Sequence, residues 1–176
     1  MVFSSLLFLY AFLPVCLLLY FLVPGLKGKN IVLLCASLVF YAWGEPKNVL
    51  LMLLSIAVNY VCGLLLGKFD SDEKKRKVVL CVSVVFNLGL LFFFKYFNFV
   101  TGGLFPVIKL PIGISFFTFQ IMSYTIDVYR RSVEPQKSLL KLALYISLFP
   151  QLIAGPIVRY IDVEKQLTYR ECTAAK

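Results

Sequence analysis

The sequence predicts an all-α fold: a polytopic integral membrane protein with about six transmembrane helices, one of them broken or kinked. Of its 176 residues, 60% are hydrophobic and 15% are charged, and the mean hydropathy is +0.86. This composition is too apolar for a soluble domain. About 20 helical residues cross a bilayer core. The chain has charge-free stretches of about this length at residues 1–26, 48–67, 78–94, 110–126 and 142–158.

The first two helices are predicted at residues 2–23 and 30–44. The first contains Pro14, which should kink it because proline removes one helix hydrogen bond. The second, NIVLLCASLVFYAWG, is shorter, and we expect its ends to extend into polar flanks. With the charge-free stretches this makes about six spans, too many for a signal peptide to explain.

The third and fourth helices flank a charged connection. The third, NVLLMLLSIAVNYVCGLLLG (48–67), carries Ser55, Asn59 and Gly63 at intervals of four residues. Small and polar residues on one stripe allow close contact between membrane helices. The following KFDSDEKKRK (68–77) is interpreted as a solvated cytoplasmic loop, and the fourth helix runs from Val78 to about Val100.

The fifth helix, LPIGISFFTFQIMSYTIDVYR (110–130), has polar residues on two sides of a helical wheel. One side carries Ser115, Thr118, Met122 and Thr125, and the other carries Gln120, Ser123, Tyr124 and Asp127. Unpaired polar groups are costly in hydrocarbon, so neither side should face lipid. The polar side chains either form interhelical hydrogen bonds or line a wet cavity. Asp127 and Arg130, three residues apart, can pair at the membrane boundary.

The sixth helix contains FPQLIAGPIVRY (149–160), where Pro150, Gly155 and Pro156 should break the backbone. Broken backbone at membrane depth is tolerated only when it is buried in protein or lines a water-filled cavity. Two interpretations remain open: a kinked helix that ends at Arg159, or a re-entrant segment at a functional passage. In the second, Gln151 and Arg159 supply hydrogen-bond donors to the passage.

The formal charge of +9 is mostly a topology pattern, so no nucleic-acid partner is predicted. The loops after the first, third and fifth helices hold most of the lysines and arginines, which predicts that these loops are cytoplasmic and that the N-terminus is outside. The five cysteines are widely spaced and there is no histidine. We therefore predict no metal site, and cysteines that serve as small hydrophobic residues.

Two stretches resemble the membrane-bound O-acyltransferase family in its alginate O-acetyltransferase branch. They are SFFTFQIMSYTIDVYR (115–130) and LFPQLIAGPIVRY (148–160), and FYAWGEPKNVLLMLLSIAVNYVCGLLLG (40–67) is also similar. The branch that helps to D-alanylate teichoic acids is the nearest alternative. The resemblance implies the N-terminal part of a ring of helices around a thin central region, in the inner (plasma) membrane of a bacterium.

What the resemblance implies about function is acyl transfer to a hydroxyl of an exported polysaccharide such as alginate, with extracytoplasmic partner proteins. The acyl donor, acetyl-CoA or another acyl carrier, would be a substrate, and no bound cofactor is expected. The residues then expected in the core or along the acyl passage are Gln120, Ser123, Tyr124, Asp127, Arg130, Gln151 and Arg159.

The sequence departs from the family in one decisive respect. The family relies on a histidine in its later helices, and this chain has none and is shorter than usual. We therefore expect residues 1–160 to be the N-terminal membrane portion, with residues 161–176 as a polar tail where the chain is truncated. No catalytic residue can be nominated, and we predict no acetyl transfer by this chain alone. Two other interpretations remain: a small oligomeric transporter or channel subunit, and a non-catalytic scaffold of a polysaccharide-modifying complex.

Overall fold

A computed structural model describes residues 6–100, 110–111, 113–154 and 158–168, and every regular element in these ranges is helical. This confirms the all-α fold. The helices are α1 (Leu13–Leu22), α2 (Leu26–Gly44), α3 (Asn48–Lys68), α4 (Glu73–Val100), α5 (Ile114–Tyr129), α6 (Leu139–Ser147), α7 (Phe149–Ala154) and α8 (Tyr160–Thr168).

Three helices of the described part of the chain are long and apolar enough to cross a membrane: Leu26–Gly44, Asn48–Lys68 and Glu73–Phe97. The segments Phe8–Leu22 and Leu139–Gln151 are apolar but shorter. α5 has 16 residues and is therefore about 24 Å long, less than the bilayer core of about 30 Å. The chain is a membrane protein in which three of the six predicted spans are long helices and the others are shorter.

Local sequence explains how several helices begin. A π-helix, Phe8–Phe12, leads into α1, and Pro14 occupies the second position of α1. The predicted distortion at Pro14 thus takes the form of a wider turn just before the proline. Gly25 and Gly113 have positive φ and immediately precede α2 and α5. Glycine adopts this conformation without the steric cost that a side chain would bring.

α5 lies at the centre of the fold. It packs against α3 and α4 on one side and contacts α6, α7 and α8 on another, while α6 also packs against α2 and α3. The main core lies between these helices and includes Met52, Ile56, Phe117, Ile121 and Leu142. α5 therefore contacts most of the other described helices.

The predicted stripe on α3 is confirmed. Ser55, Asn59 and Gly63 are all buried. A Cβ atom added to Gly63 would lie 2.7 Å from the hydroxyl oxygen of Tyr124 on α5, so only glycine permits this approach. The stripe allows α3 and α5 to pack closely, as small residues do between membrane helices.

The loops after α3 and α5 meet at one end of the helices, which we call the basic end. Arg131 donates from Nε to Oδ1 of Asp70 at 3.0 Å and from Nη2 to Oε1 of Glu73 at 2.8 Å. The sequence predicted that these two loops share a side of the membrane, and their contact agrees with that prediction. The hydrogen bond from Arg131 also holds the pKa of Asp70 below its usual value.

Candidate functional site

The two polar sides of α5 have different surroundings. Thr118, Gln120, Tyr124, Thr125 and Asp127 are all buried, which confirms that these side chains do not face lipid. Thr125 lies toward α3 and α4, whereas Gln120 and Asp127 contact residues that follow α6. The helical wheel placed Met122 and Ser123 on opposite sides, but both line the same cavity, described below.

Toward α3 and α4, the polar groups form a closed network that we call the amide cluster: Asn59, Ser83, Asn87 and Thr125. Oδ1 of Asn59 accepts hydrogen bonds from Ser83 Oγ at 2.7 Å, Asn87 Nδ2 at 2.8 Å and Thr125 Oγ1 at 3.4 Å. Nδ2 of Asn59 donates to the carbonyl of Ser55 and to Asn87 Oδ1. All four side chains are buried. The amide cluster therefore joins three helices through polar atoms that are already satisfied.

On the other side of α5, residues 139–154 and 158–160 belong to a segment that we call the re-entrant segment. The segment begins at the basic end with α6 and ends at Tyr160. Gln136, which lies shortly before α6, donates a hydrogen bond from Nε2 to the Tyr160 hydroxyl. Both ends of the segment are therefore at the basic end. The described ends of the segment fit a re-entrant path and not a kinked helix that ends at Arg159, and a functional passage at this segment stays a prediction.

Among the described residues, the helix is interrupted at Leu148, before Pro150. Leu148 has extended backbone (ψ 114°) and separates α6 from α7. The amide of Phe149, the first after the break, donates to Ser37 Oγ of α2 at 3.3 Å. Pro150 is the second residue of α7, where its missing N–H costs no helical hydrogen bond. Pro150 therefore begins a new helix and does not break one, and the predicted breaks at Gly155 and Pro156 lie outside the described residues.

Gln120 and Gln151, both predicted site residues, are in contact. Nε2 of Gln120 donates to Oε1 of Gln151 at 3.0 Å and to the carbonyl of Tyr145 at 2.8 Å. Tyr145 is close to the end of α6, so its carbonyl is one of those that a broken helix leaves without an intrahelical partner. Gln120 thus ties the middle of α5 to both sides of the break.

One helical turn nearer the basic end than Tyr124, Asp127 pairs with Arg159. Nη2 of Arg159 donates to Oδ1 of Asp127 at 3.0 Å. The predicted pairing of Asp127 with Arg130 is wrong, because the re-entrant segment brings the Arg159 guanidinium to this carboxylate. The Asp127 side chain is 3% exposed and the Arg159 side chain is 56% exposed. Oδ2 of Asp127 is buried and has no hydrogen-bond partner among the described residues.

This ion pair borders a cavity of about 410 Å³, which we call the arginine cavity. It is lined by Phe119, Met122, Ser123, Ile126, Asp127, Arg130 and Arg159. Four of the predicted site residues are therefore on one cavity: Ser123, Asp127, Arg130 and Arg159. Two guanidinium groups can bind an anion such as phosphate.

The other predicted residues lie elsewhere. Tyr124 is in the core, where its hydroxyl accepts a hydrogen bond from the backbone N–H of Gln136 at 3.0 Å. Gln151 lines a second cavity of about 450 Å³ between α2, α6 and α8. Tyr124 thus serves packing at the base of the site, while Gln151 faces a different space from the arginine cavity.

Sequence reasoning missed Arg76, which was assigned to a solvated loop. Its side chain is 2% exposed, and it donates to the carbonyls of Leu66, Val128 and Tyr129 and to Oδ1 of Asp70. These carbonyls belong to the last turns of α3 and α5, where arginine commonly binds. A pattern of charges alone does not reveal this position, because Arg76 lies among exposed lysines.

No group of three or more potential metal ligands occurs among the described residues. The division of the chain at residue 160 stays a prediction. α8 begins there, and its residues Tyr160 and Leu167 are buried. The predicted polar tail therefore opens with a helix that packs on the core.

Similar proteins are known among curated sequences. The chain is 40% identical over its full length to the "Probable alginate O-acetylase AlgI" of Pseudomonas aeruginosa, and covers 36% of that protein. It is 39% identical to the protein of the same name from Azotobacter vinelandii, covering 38% of it. Over 94% of its length it is 33% identical to the "Peptidoglycan O-acetyltransferase" of Helicobacter pylori. The chain thus spans little more than a third of these relatives. No family profile and no solved structure matches it.

Proposed function

Since this chain belongs to the membrane-bound O-acyltransferase family, in the branch of the alginate O-acetylases, we propose that it forms the donor-binding end of a membrane O-acetyltransferase. The reaction would transfer an acetyl group from a thioester donor to a hydroxyl of an exported polysaccharide. The observation that carries this proposal is the arginine cavity, where two arginines and a partly unpaired Asp127 meet.

The donor would reach the arginine cavity from the basic end. Acetyl-CoA and related acyl carriers contain phosphate, and Arg130 and Arg159 offer the guanidinium groups that phosphate binds best. The chain contains no histidine, so we assign no general base within these 176 residues.

The acceptor and the partner proteins follow from the family alone. The names of two relatives refer to alginate and to peptidoglycan, and an exported polysaccharide is the acceptor that both have in common. Extracytoplasmic polysaccharide-modifying proteins would meet the enzyme at the end opposite the basic end.

We place the basic end in the cytoplasm of a bacterium, the chain in its inner membrane and the N-terminus outside, because lysines and arginines favour cytoplasmic loops. Alkaline phosphatase fused after Ser71 should then be inactive, and the same enzyme fused after Pro46 should be active. The reverse pattern would show that the basic end faces the outside. A cytoplasmic donor could then not reach the arginine cavity from that end.

Donor binding is the direct test. Acetyl-CoA should bind saturably to the purified chain in lipid nanodiscs, and its affinity should fall about tenfold when Arg130→Gln and Arg159→Gln are combined. The matched control is Lys74→Gln with Lys77→Gln, which removes the same charge from exposed positions at the same end. Binding that is lost equally in both double variants would mean that only the general basic charge attracts the donor.

A further inference from the structure

Gln136 lies between α5 and α6 and uses three polar groups at once. Its backbone N–H donates to the Tyr124 hydroxyl at 3.0 Å, and its Nε2 donates to the Tyr160 hydroxyl. Its Oε1 accepts a hydrogen bond from the backbone N–H of Ser138 at 3.0 Å. One half-buried residue therefore contacts α5 through its backbone N–H, and joins the start of α6 to the start of α8 through its side chain.

The two tyrosines are fully buried and in contact. Their rings meet edge to face with centroids 5.0 Å apart, and Tyr145 packs on Tyr160 with centroids 5.1 Å apart. A buried tyrosine hydroxyl needs a hydrogen-bond partner. Gln136 supplies one to both Tyr124 and Tyr160. The contact between α5 and α8 therefore depends on a residue that belongs to neither helix.

The contact next to this one is the ion pair of the arginine cavity. Asp127 follows Tyr124 by one helical turn, and Arg159 immediately precedes Tyr160. The Tyr124–Gln136–Tyr160 bridge and the Asp127–Arg159 pair therefore join the same two parts of the chain, side by side. The two contacts are adjacent, since Arg159 and Tyr160 are consecutive and Tyr124 and Asp127 lie one helical turn apart.

We infer that Gln136 is a positioning residue: it closes the base of the re-entrant segment and thereby holds Arg159 against Asp127. The effect on the acyl donor rests on the proposed function, but the effect on the ion pair does not. Gln136 touches neither the arginine cavity nor any residue of the ion pair. Its influence on the cavity passes through the two tyrosines.

The test is the rate at which phenylglyoxal modifies Arg159 in the purified chain in nanodiscs, measured by peptide mass spectrometry. Arg130 lines the same cavity and gives an internal reference, and Asp127→Ala gives the rate for Arg159 without its partner. We expect Gln136→Leu to raise the Arg159 rate by about two- to fivefold, toward the Asp127→Ala rate, with the Arg130 rate unchanged.

Gln136→Glu is the conservative control. A carboxylate can still accept from Ser138 and from the Tyr160 hydroxyl, which can turn to donate. This variant should therefore keep the wild-type Arg159 rate. Buried Arg76 reports on folding, since it stays unmodified while the helices remain packed. If Gln136→Leu exposes Arg76, Tyr160→Phe decides, because it removes only the hydroxyl.

The inference is overturned if neither Gln136→Leu nor Tyr160→Phe changes the Arg159 rate, or if Asp127→Ala leaves it unchanged. Neither result depends on acetyl transfer or donor binding. A failure here would leave the test of the proposed function intact. Conversely, a chain that binds no acetyl-CoA can still show the expected modification rates.

Discussion

The two sides of α5 show two uses of polar residues in a membrane protein. Toward α3 and α4, the Asn59 side chain has a partner for its oxygen and for its nitrogen, and all four members of the amide cluster are buried. Toward the re-entrant segment, one oxygen of Asp127 has no hydrogen-bond partner in the described part of the chain. The partner of its other oxygen, Arg159, is more than half exposed.

The difference separates residues that hold helices together from residues that can bind a ligand. A closed network has no capacity left for another molecule and favours a single packing. An incomplete one beside a cavity does have that capacity, and incomplete hydrogen bonding in a native structure calls for an explanation. Variants on the two sides should therefore differ in what they change: stability on one side and ligand affinity on the other.

The largest loss of stability should follow Arg76→Met. Arg76 joins the ends of α3 and α5 at the basic end, on the side of α5 that carries the amide cluster. The carbonyls of Leu66, Val128 and Tyr129 lose their charged donor. Hydrogen bonds to charged groups contribute about 1.5–3 kcal/mol each, so we expect a loss of about 3 kcal/mol in the free energy of unfolding. The measurement is thermal unfolding in detergent, monitored by the reaction of a thiol dye with Cys62, which is buried in the folded protein.

Lys74→Met is the matched control, because Lys74 is exposed and lies two residues away. It should change the free energy of unfolding by less than about 0.5 kcal/mol. If Arg76→Met lowers the free energy of unfolding no more than Lys74→Met does, then the contacts of Arg76 do not stabilise the helices. The claim that this side of α5 serves stability would then lack support at the basic end.

A smaller loss is expected within the amide cluster itself. Asn59→Leu removes the acceptor of the Ser83 hydroxyl and the donor to Asn87 Oδ1. Asn87→Leu removes two of the hydrogen bonds of Asn59, one to its Oδ1 and one from its Nδ2. A buried polar group left unpaired costs about 1–3 kcal/mol. Each single variant should be destabilised by about 2 kcal/mol. The double variant should lose clearly less than the sum, because it leaves fewer orphaned groups. Additive losses, measured by the same unfolding assay, would show that the two amides do not act as a pair.

The sequence predicts the stabilising side of α5 better than the binding side. The stripe of Ser55, Asn59 and Gly63 follows from helical periodicity, which depends only on neighbours along the chain. The pairing of Asp127 with Arg159 depends on a re-entrant path, and the two residues are 32 positions apart in the sequence; helical spacing favoured Arg130 instead. Gln136 was missed for a similar reason, because its importance comes from two tyrosines that only the fold brings together.

Pro150 shows the same limit in another form. Its presence correctly indicated a break in the sixth predicted helix. The helix is interrupted at Leu148, however, and the proline lies in the first turn of α7. Proline is compatible both with the end of one helix and with the start of the next. Its sequence position alone does not distinguish these, whereas the hydrogen bond from the Phe149 amide to Ser37 does.

The smallest change in stability should come from the Asp127–Arg159 pair, and this prediction distinguishes the two sides most directly. Asp127→Asn keeps an oxygen that can accept from Arg159, and Arg159→Gln alters a largely exposed side chain. Both should unfold nearly as the wild type does, well within the loss expected for Asn59→Leu. In the amide cluster, both single variants should lower the free energy of unfolding. In the ion pair, Asp127→Asn and Arg159→Gln should change the ligand affinity in opposite directions.

Arg159→Gln removes a positive charge from the arginine cavity, so the affinity for acetyl-CoA should fall. Asp127→Asn removes a negative charge beside two guanidinium groups, so the affinity should rise by about threefold. The rise should become smaller at high salt, because the Arg159 guanidinium that binds the ligand is more than half exposed and is screened. Equal losses of affinity in both variants, together with equal losses of stability, would assign Asp127 and Arg159 to the same structural class as Asn59 and Asn87.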